Sequence, residues 1–310
     1  MKPQNFVLKN QTIKKRFVEE KRRRPESFER RLSLSWSIWM FGTEPIDESL
    51  ERLRRNGFEY VEIKGDTSIP KEAMKKALKN SGIKVSGACG MFSPQRDLSS
   101  PLEEVRKKAQ DYIREVSSYI SFLGGTYLIV VPGAVGRPDA VDGLEMERSA
   151  EALRQCVCHF KESGVKPVIE PIRSAEVSLV HTVDEALDYL DMVDDPLVNC
   201  LNGDIYHMLN GEQHVGEAII KCGERLVNLH IADSNRDAPG KGQIDIDTAI
   251  MAAYLVGMNQ KGRFITFEPL GPYPDPYVLS TGPCDVSVMD RLVKDSVEYF
   301  REREEIVRSL

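Results

Sequence analysis

Short apolar runs rich in β-branched residues recur along the chain, each followed by a polar loop and then a longer stretch with helical spacing. The runs predict strands at Leu32–Ile38, Tyr60–Ile63, Val85–Cys89, Tyr127–Val131, Lys166–Glu170, Val198–Asp204, Leu226–His230 and Arg263–Glu268. The stretches between and after them predict helices at Asp47–Arg55, Lys71–Asn80, Leu102–Phe122, Met146–Ser163, Val183–Asp191, Val215–Lys221, Asp245–Leu255 and Val286–Val307. Asn56-Gly57, Ser81-Gly82, Gly124-Gly125 and Ser163-Gly164 stand where a helix should stop and turn towards the next strand. Regular alternation of strand and helix indicates βαβ units on a parallel sheet.

Two architectures share that alternation. A doubly wound open sheet would normally carry G-x-G-x-x-G or a P-loop after an early strand, and neither is present. Eight strand–helix units instead favour closure, which removes the exposed edges of an open sheet. The expected fold is therefore α/β, a single (β/α)8 TIM barrel over residues 32–310 with a basic N-terminal extension at residues 1–31. Several strand-to-helix loops are long while the returns are short, as in a barrel elaborated at one end for function.

Charge separates the extension from the rest. Residues 1–31 hold eleven Lys or Arg against four Glu, a net of +7, which leaves −13 for the remainder of a chain whose total is −6. Lys14-Lys15-Arg16 and Lys21-Arg22-Arg23-Arg24 could touch nucleic acid or an acidic partner, although a solvated arm or helix is the commoner meaning of such a run. The acidic body argues against a nucleic-acid groove there. No apolar run approaches the roughly 18 residues of a membrane span, and the basic N-terminus lacks the apolar stretch of a signal peptide, so a cytoplasmic protein is expected. The six cysteines form no C-x-x-C pair and are expected to be reduced. Cys156 and Cys158, two apart on an expected helix, would face different ways and cannot grip one ion together.

In a barrel of this kind the active site lies at the C-terminal ends of the strands, so a charged residue closing an apolar strand is the first candidate for chemistry. Four consecutive strands end that way. Val168-Ile169-Glu170-Pro171 closes the fifth, Asn202-Gly203-Asp204 the sixth, Asn228-Leu229-His230 the seventh and Thr266-Phe267-Glu268-Pro269 the eighth. Carboxylates gathered at an apolar mouth need protons, basic partners or a metal ion, and a metal answers best for this set. Three carboxylates and one imidazole form a mostly hard, oxygen-rich donor set that suits one divalent ion, Mn²⁺ first, with Mg²⁺ or Co²⁺ also compatible. Any one of these residues alone has an ordinary structural meaning, such as a satisfied core histidine or a salt-bridged glutamate. Four successive strand ends are much harder to explain that way.

With these residues in place the sequence resembles the xylose-isomerase-like superfamily of sugar isomerases and epimerases, and within it the D-tagatose and D-allulose 3-epimerases. The resemblance runs from about Leu32 to Phe300 and is strongest from Val168 onward. It implies metal ligation by Glu170, Asp204, His230 and Glu268, and substrate binding by Glu176, His207 and Arg236, which match by their spacing from the ligands. Pro239-Gly240-Lys241-Gly242-Gln243-Ile244-Asp245 is a further family hallmark. The resemblance also implies the reaction: epimerisation at C3 of a free ketose through a metal-stabilised cis-enediolate, with Glu170 and Glu268 as catalytic acid and base on opposite faces. The partners it implies are a small sugar and a second copy of the chain in a homo-oligomer.

Two segments depart from a simple ketose epimerase. Both tryptophans fall at the exit of the first strand, in Leu32-Ser33-Leu34-Ser35-Trp36-Ser37-Ile38-Trp39-Met40-Phe41, and Glu268 is followed by Gly271-Pro272-Tyr273-Pro274-Asp275-Pro276-Tyr277. Such rigid surfaces suit a flat, apolar ligand, although core packing or a subunit contact is the commoner cause. They keep open a second resemblance, to the catalytic subunit of C-glycoside deglycosidases, lyases that cleave 3-oxo-C-glycosides by metal-assisted elimination and work with a small partner subunit. An endonuclease IV-like nuclease is a minor alternative. It needs a three-metal cluster with further ligands, whereas the chain has only His159, His181, His207, His214 and His230, and strands three and four end in Cys89 and Val131. A phosphosugar substrate would call for a Gly-rich cradle that is not evident after strands seven or eight, although Arg236 and Lys241 lie nearby.

Overall fold

All eight expected strands form, and they close on themselves. The computed structural model describes residues 5–271 and 282–310. In it the strands are β1 (Leu34–Ser37), β2 (Tyr60–Gly65), β3 (Lys84–Gly90), β4 (Tyr127–Val130), β5 (Lys166–Ile169), β6 (Cys200–Asp204), β7 (Leu226–Ile231) and β8 (Phe264–Phe267). Each pairs in parallel with its neighbour, and β8 returns to β1 with Leu34 opposite Ile265 and Trp36 opposite Phe267. The chain is a (β/α)8 TIM barrel. With both faces of the sheet covered, most strand residues are fully buried, which is why the strands read as short apolar runs rather than as clean alternation.

The helices in chain order are α1 (Phe6–Arg23), α2 (Ile46–Arg55), α3 (Lys71–Ser81), α4 (Glu103–Leu123), α5 (Glu145–Arg154), α6 (Val157–Ser163), α7 (Val183–Val193), α8 (Ile205–Gly211), α9 (Val215–Cys222), α10 (Ile246–Leu255) and α11 (Val286–Ser309). Gly82, Gly124 and Gly164 end α3, α4 and α6 in the left-handed conformation, as the glycine punctuation predicts. The single helix expected over Met146–Ser163 is two, parted at Gln155-Cys156, where the backbone stays right-handed but tightens, the Cys156 N–H donating to Leu153 O at 2.9 Å, with no Gly or Pro to announce it. Cys156 is buried and Cys158 exposed, so the pair does face different ways.

The basic extension is not a loose arm. Asn5 caps α1 by accepting the Leu8 N–H at 3.0 Å, and Ile13 and Phe17 bury one stripe of the helix. Phe17 meets Phe28 edge-on at 5.4 Å and Tyr254 of α10 at 6.1 Å. Asn10 donates to Asp245 at 2.6 Å, and Lys9 pairs with Glu217 at 2.5 Å, tying α1 to the loop before α10 and to α9. Lys14, Lys15, Arg16 and Arg22–Arg24 occupy the exposed side, where Arg23 and Arg24 share Glu20. The run is thus a solvated helix face.

Inside the barrel a polar layer lies beneath the strand exits. Ser35, Glu62, Ser86, Asn202, Asn228 and Thr266 are all fully buried. Each has a hydrogen-bond partner in that layer, which is the condition for polar groups to be tolerated in a core. Trp36 belongs to the packing outside this layer, stacked against Phe41 at 5.8 Å and Phe267 at 5.9 Å. It therefore faces no ligand.

Candidate metal centre

The four strand-end residues converge. Asp204 and His230 lie within β6 and β7, while Glu170 and Glu268 directly follow β5 and β8. Sheet hydrogen bonding continues one residue past those two strands: Glu170 N–H donates to Val130 O at 3.2 Å and Glu268 N–H to Ile231 O at 3.0 Å. Backbone pairing therefore fixes where both carboxylates start. His230 Nδ1 lies 3.5 Å from Glu170 Oε1 and 3.3 Å from Glu268 Oε2. Ligand atoms of Glu170, Asp204 and His230 all fall within 4.8 Å of one another.

Positive partners share these carboxylates. Arg236 Nη2 stands 3.1 Å from Asp204 Oδ2 and 3.4 Å from Glu268 Oε2, bridging the two. His207 Nε2 lies 3.5 Å from Asp204 Oδ2. Burial pushes the Asp204 carboxyl up, but His207, Arg236 and His230 outweigh it and hold its pKa at about 2. Glu268 is likewise lowered, burial being overcome by His230 and Arg236. Glu170 goes the other way, because for it burial prevails over the pull of His230. Burial alone would lower His230, yet Glu268 and Glu62 raise it well above the ordinary imidazole value. The donor set fits a hard divalent ion: three carboxylates and one imidazole nitrogen, all buried, with Glu170, Asp204 and His230 within 4.8 Å of one another and Glu268 3.3 Å from the same His230 nitrogen.

The three expected substrate-binding residues line the same cavity, an open volume of about 1020 Å³ above the cluster. Glu176 is held by Arg173, whose Nε donates to it at 2.6 Å, while Arg173 Nη1 donates to the Tyr206 hydroxyl at 2.7 Å. Sequence spacing places His207 in a loop, but it sits on α8. Asp204 caps that helix, its Oδ1 accepting the Tyr206 N–H at 2.7 Å and the His207 N–H at 3.4 Å. The buried His207 Nδ1 has no hydrogen-bond partner among the described residues. Arg236 is a non-glycine residue with φ of +58°, and its guanidinium lies 4.3 Å from the Tyr206 ring centroid. Its backbone is pinned on both sides: its N–H donates to Asp233 O at 2.8 Å, and its carbonyl accepts from Leu270 and Gly271 at 2.8 and 3.1 Å.

The glycine-rich phrase after Arg236 wraps a buried carboxylate. Asp233 accepts N–H groups from Ser234, Gly240 and Ile244 at 2.7, 2.7 and 3.1 Å. A Cβ on Gly242 would lie 2.2 Å from Asp233 Oδ1, so that position has no room for a side chain. Lys241 points away and pairs with Asp295 at 3.1 Å on the surface.

Further residues meet the four ligand candidates, of which Asn202 and Glu62 carried no sequence signal for a role. Trp39 donates its indole N–H to Glu268 Oε1 at 2.6 Å, and Cys89 Sγ stands 4.0 Å from the same oxygen. Burial, then the nearby Glu268 carboxylate, pushes the Cys89 thiol well above its usual pKa, which keeps it neutral. Asn202 donates to Glu170 Oε1 at 2.7 Å. Glu62, on β2, lies 3.0 Å from the far nitrogen of His230. Met91, Phe92, Val131, Val135 and Ile172 form an apolar wall to the cavity. Of the loop after Glu268, residues 272–281 lie outside the described residues.

A profile of the xylose isomerase-like TIM barrel family matches residues 50–278. The chain is 27% identical over 246 residues to a ketose 3-epimerase of Arthrobacter globiformis, covering 77% of this chain and 84% of that protein. It is 28% identical over 216 residues to the 3-dehydro-D-guloside 4-epimerase of Escherichia coli strain K12, covering 66% and 80%. The crystal structure of a D-allulose 3-epimerase from Methylomonas sp. in complex with D-allulose superposes with a TM-score of 0.78 at 22% identity, covering 88% of this chain and 98% of that one. Because the profile match runs from α2 past β8, and so takes in every strand end of the buried cluster, the chain belongs to the xylose isomerase-like TIM barrel family.

Proposed function

We propose that the protein is a divalent-metal-dependent sugar epimerase acting at C3 of a free ketose, with Glu170, Asp204, His230 and Glu268 holding one ion, Mn²⁺ by preference. The observation that carries the reading is the approach of Glu170 and Glu268 to His230 Nδ1 from opposite sides, β5 and β8. An ion held there would supply Lewis-acid stabilisation of the charge that develops on a ketose oxygen when the adjacent carbon loses its proton. Glu170 and Glu268 are the groups that take and return that proton, one on each face of C3, which inverts the centre. Arg236 and His207 supply hydrogen-bond donors beside the reacting oxygens, and Glu176 accepts from a hydroxyl further along the sugar. The names of the relatives, a ketose 3-epimerase and a glycoside 4-epimerase, support sugar epimerisation as the class.

A second reading has a specific observation in its favour. Trp39 and the apolar wall of Met91, Phe92, Val131, Val135 and Ile172 line the open cavity, an apolar surface beyond what a free hexose would need. That shape suits a 3-oxo-glycoside with a flat aglycone, and with it elimination by a C-glycoside lyase working with a small partner subunit. The nuclease reading gains nothing: among the described residues, every group of three side chains able to hold an ion contains His230. The deciding experiment incubates Mn²⁺-loaded protein with free ketoses and, separately, with 3-oxo-C-glycosides, and follows products and deuterium uptake from solvent. A C3 epimer carrying deuterium supports the first reading, a released aglycone supports the second, and neither product from either substrate overturns both.

A further inference from the structure

We propose that Glu62 is a positioning residue for the metal centre, fixing His230 as the tautomer with its proton on Nε2 and its Nδ1 lone pair turned to the ion. This role rests on the metal reading above. Glu62 lies in the middle of β2, fully buried, and its two oxygens stand 3.0 and 3.2 Å from His230 Nε2. The other ring nitrogen faces Glu170 and Glu268, so Glu62 and the ligand carboxylates occupy opposite edges of one imidazole. Glu62 thus meets the ring at the nitrogen away from Glu170 and Asp204, although one of its oxygens also comes within 4.8 Å of a Glu268 oxygen.

The hydrogen bonds around the ring have a consistent direction. Glu62 Oε2 accepts from the Tyr127 hydroxyl at 2.7 Å and from Asn228 Nδ2 at 3.2 Å, so with His230 three donors meet an acceptor-only carboxylate. Asn202 must turn its Nδ2 to Glu170 Oε1, at 2.7 Å, which leaves its Oδ1 to accept from Asn228 Nδ2 at 2.8 Å. Asn228 Oδ1 in turn accepts from Thr266 Oγ1 at 2.6 Å. The same Asn202 Nδ2 lies 3.4 Å from His230 Nδ1, so an amide donor faces Nδ1 while a carboxylate acceptor faces Nε2. Glu170 and Glu268 also face Nδ1, so once an ion takes up that nitrogen and those carboxylates, the ring proton belongs on Nε2, against Glu62. The buried layer thus orients two ligands at once, His230 through Glu62 and Glu170 through Asn202. Carboxylates that take up the second nitrogen of a metal-bound histidine in this way orient the ring and raise its basicity, and their loss typically weakens metal binding by about 10–100-fold.

The test compares Mn²⁺ affinity by calorimetry in the parent, in Glu62→Gln and in Tyr127→Phe, with thermal midpoints recorded for each. Glu62→Gln keeps the shape but removes one acceptor, and is expected to bind Mn²⁺ about 10–100-fold more weakly. Tyr127→Phe removes a donor from the same carboxylate but leaves the Glu62–His230 pair, and is expected to bind within about threefold of the parent. Equal losses in both variants would reduce Glu62 to general packing and overturn the role. A second measurement does not depend on either variant folding: ¹⁵N spectra of Mg²⁺-loaded parent protein should show His230 protonated at Nε2 and unprotonated at Nδ1. The reverse tautomer overturns the proposal while leaving the metal centre standing, whereas a parent protein that binds no divalent ion takes both down together.

Discussion

Asp204 both caps the helix that carries His207 and faces that residue's imidazole. Its Oδ1 takes the helix N–H groups while its Oδ2 stands 3.5 Å from His207 Nε2 and 3.1 Å from Arg236. One carboxylate thereby fixes the position of a side chain proposed to bind substrate and stands among the proposed metal ligands.

Asp204→Asn separates these duties. Asn caps a helix about as well as Asp, so α8 should keep its start, and the fall in the thermal midpoint at neutral pH should come from the lost charge rather than from the cap. Metal affinity should fall by more than the roughly 10–100-fold typical of losing a supporting residue, because a ligand itself has gone. The substitution also tests the acid side of the stability curve. A carboxyl held at about 2 contributes stability that is complete above the unfolded value of about 3.9 and is lost as the pH falls through the folded one. Denaturant unfolding of metal-free protein between about pH 5 and pH 2 should therefore show the parent losing more stability than the variant. Parallel curves would show that the Asp204 charge is not stabilised as its surroundings imply.

Metal uptake should release protons. His230 is held well above its ordinary pKa by Glu268 and Glu62 despite burial, and Glu170 is raised by burial, so both keep protons to higher pH than usual in the absence of an ion. An ion must displace them, so Mn²⁺ affinity should go on rising with pH above the ordinary imidazole range. Calorimetry in buffers of different ionisation heat counts the protons. Exhaustive chelation should abolish activity and Mn²⁺ titration should restore it, whereas full activity after chelation would end the metal reading.

How much of this was legible from the residues depended on whether a side chain broke a pattern. Glu170 and Glu268 are visible because each closes an apolar strand just before a proline, a place where packing alone gives no reason for a charge. Glu62 is not, because Val61-Glu62-Ile63 reads as a strand with one polar face, and only closure of the barrel reveals that both faces are buried. A charge in the middle of a two-sided buried strand demands a partner, and that demand is the signal that could have found it. The helix carrying His207 was missed since it is only about two turns long and is started by Asp204, a residue already assigned another role. The docked extension left a trace in Ile13 and Phe17, spaced one helical turn apart within a basic run.

Phe17→Ala should separate that outer support from the site. The ring is buried between Phe28 and Tyr254, so truncation should cost about 3–5 kcal/mol. All four proposed ligands sit on the far side of the barrel wall, at strand exits, and Mn²⁺ affinity of the folded variant should match the parent. Deleting residues 1–30 is the stronger version, expected to lower stability further while sparing the ion site. A folded truncation that loses metal affinity would show that α1 supports the site directly.

Gly242→Ala should disturb the sugar side of the site more than the metal side. The added methyl meets Asp233, whose carboxylate organises the loop that carries Arg236, so a destabilisation of about 1–3 kcal/mol is expected. KM should rise while Mn²⁺ affinity stays near the parent's, because the ligands are anchored on strands rather than on that loop. Unchanged KM and stability would mean that the loop tolerates the methyl by moving elsewhere.

The two glutamates make the sharpest prediction, because their surroundings differ. Glu170 accepts from Asn202 and its carboxyl is raised by burial, whereas Glu268 accepts from Trp39 and is lowered with the help of His230 and Arg236. Replacing either with Gln removes a base and also weakens a metal ligand, so loss of turnover alone cannot assign a role. The informative measurement is wash-in of solvent deuterium next to the ketose carbonyl, made at saturating Mn²⁺ after occupancy has been confirmed for each variant. If each carboxylate serves one face of C3, Glu170→Gln should retain exchange from one epimer and Glu268→Gln from the other, while both lose epimerisation. Each variant then exchanges the proton that its remaining carboxylate can reach but cannot deliver one to the opposite face. If both fully occupied variants exchange and turn over like the parent, proton transfer belongs to another group, and His207 becomes the first candidate because its buried Nδ1 faces no other hydrogen-bond partner among the described residues.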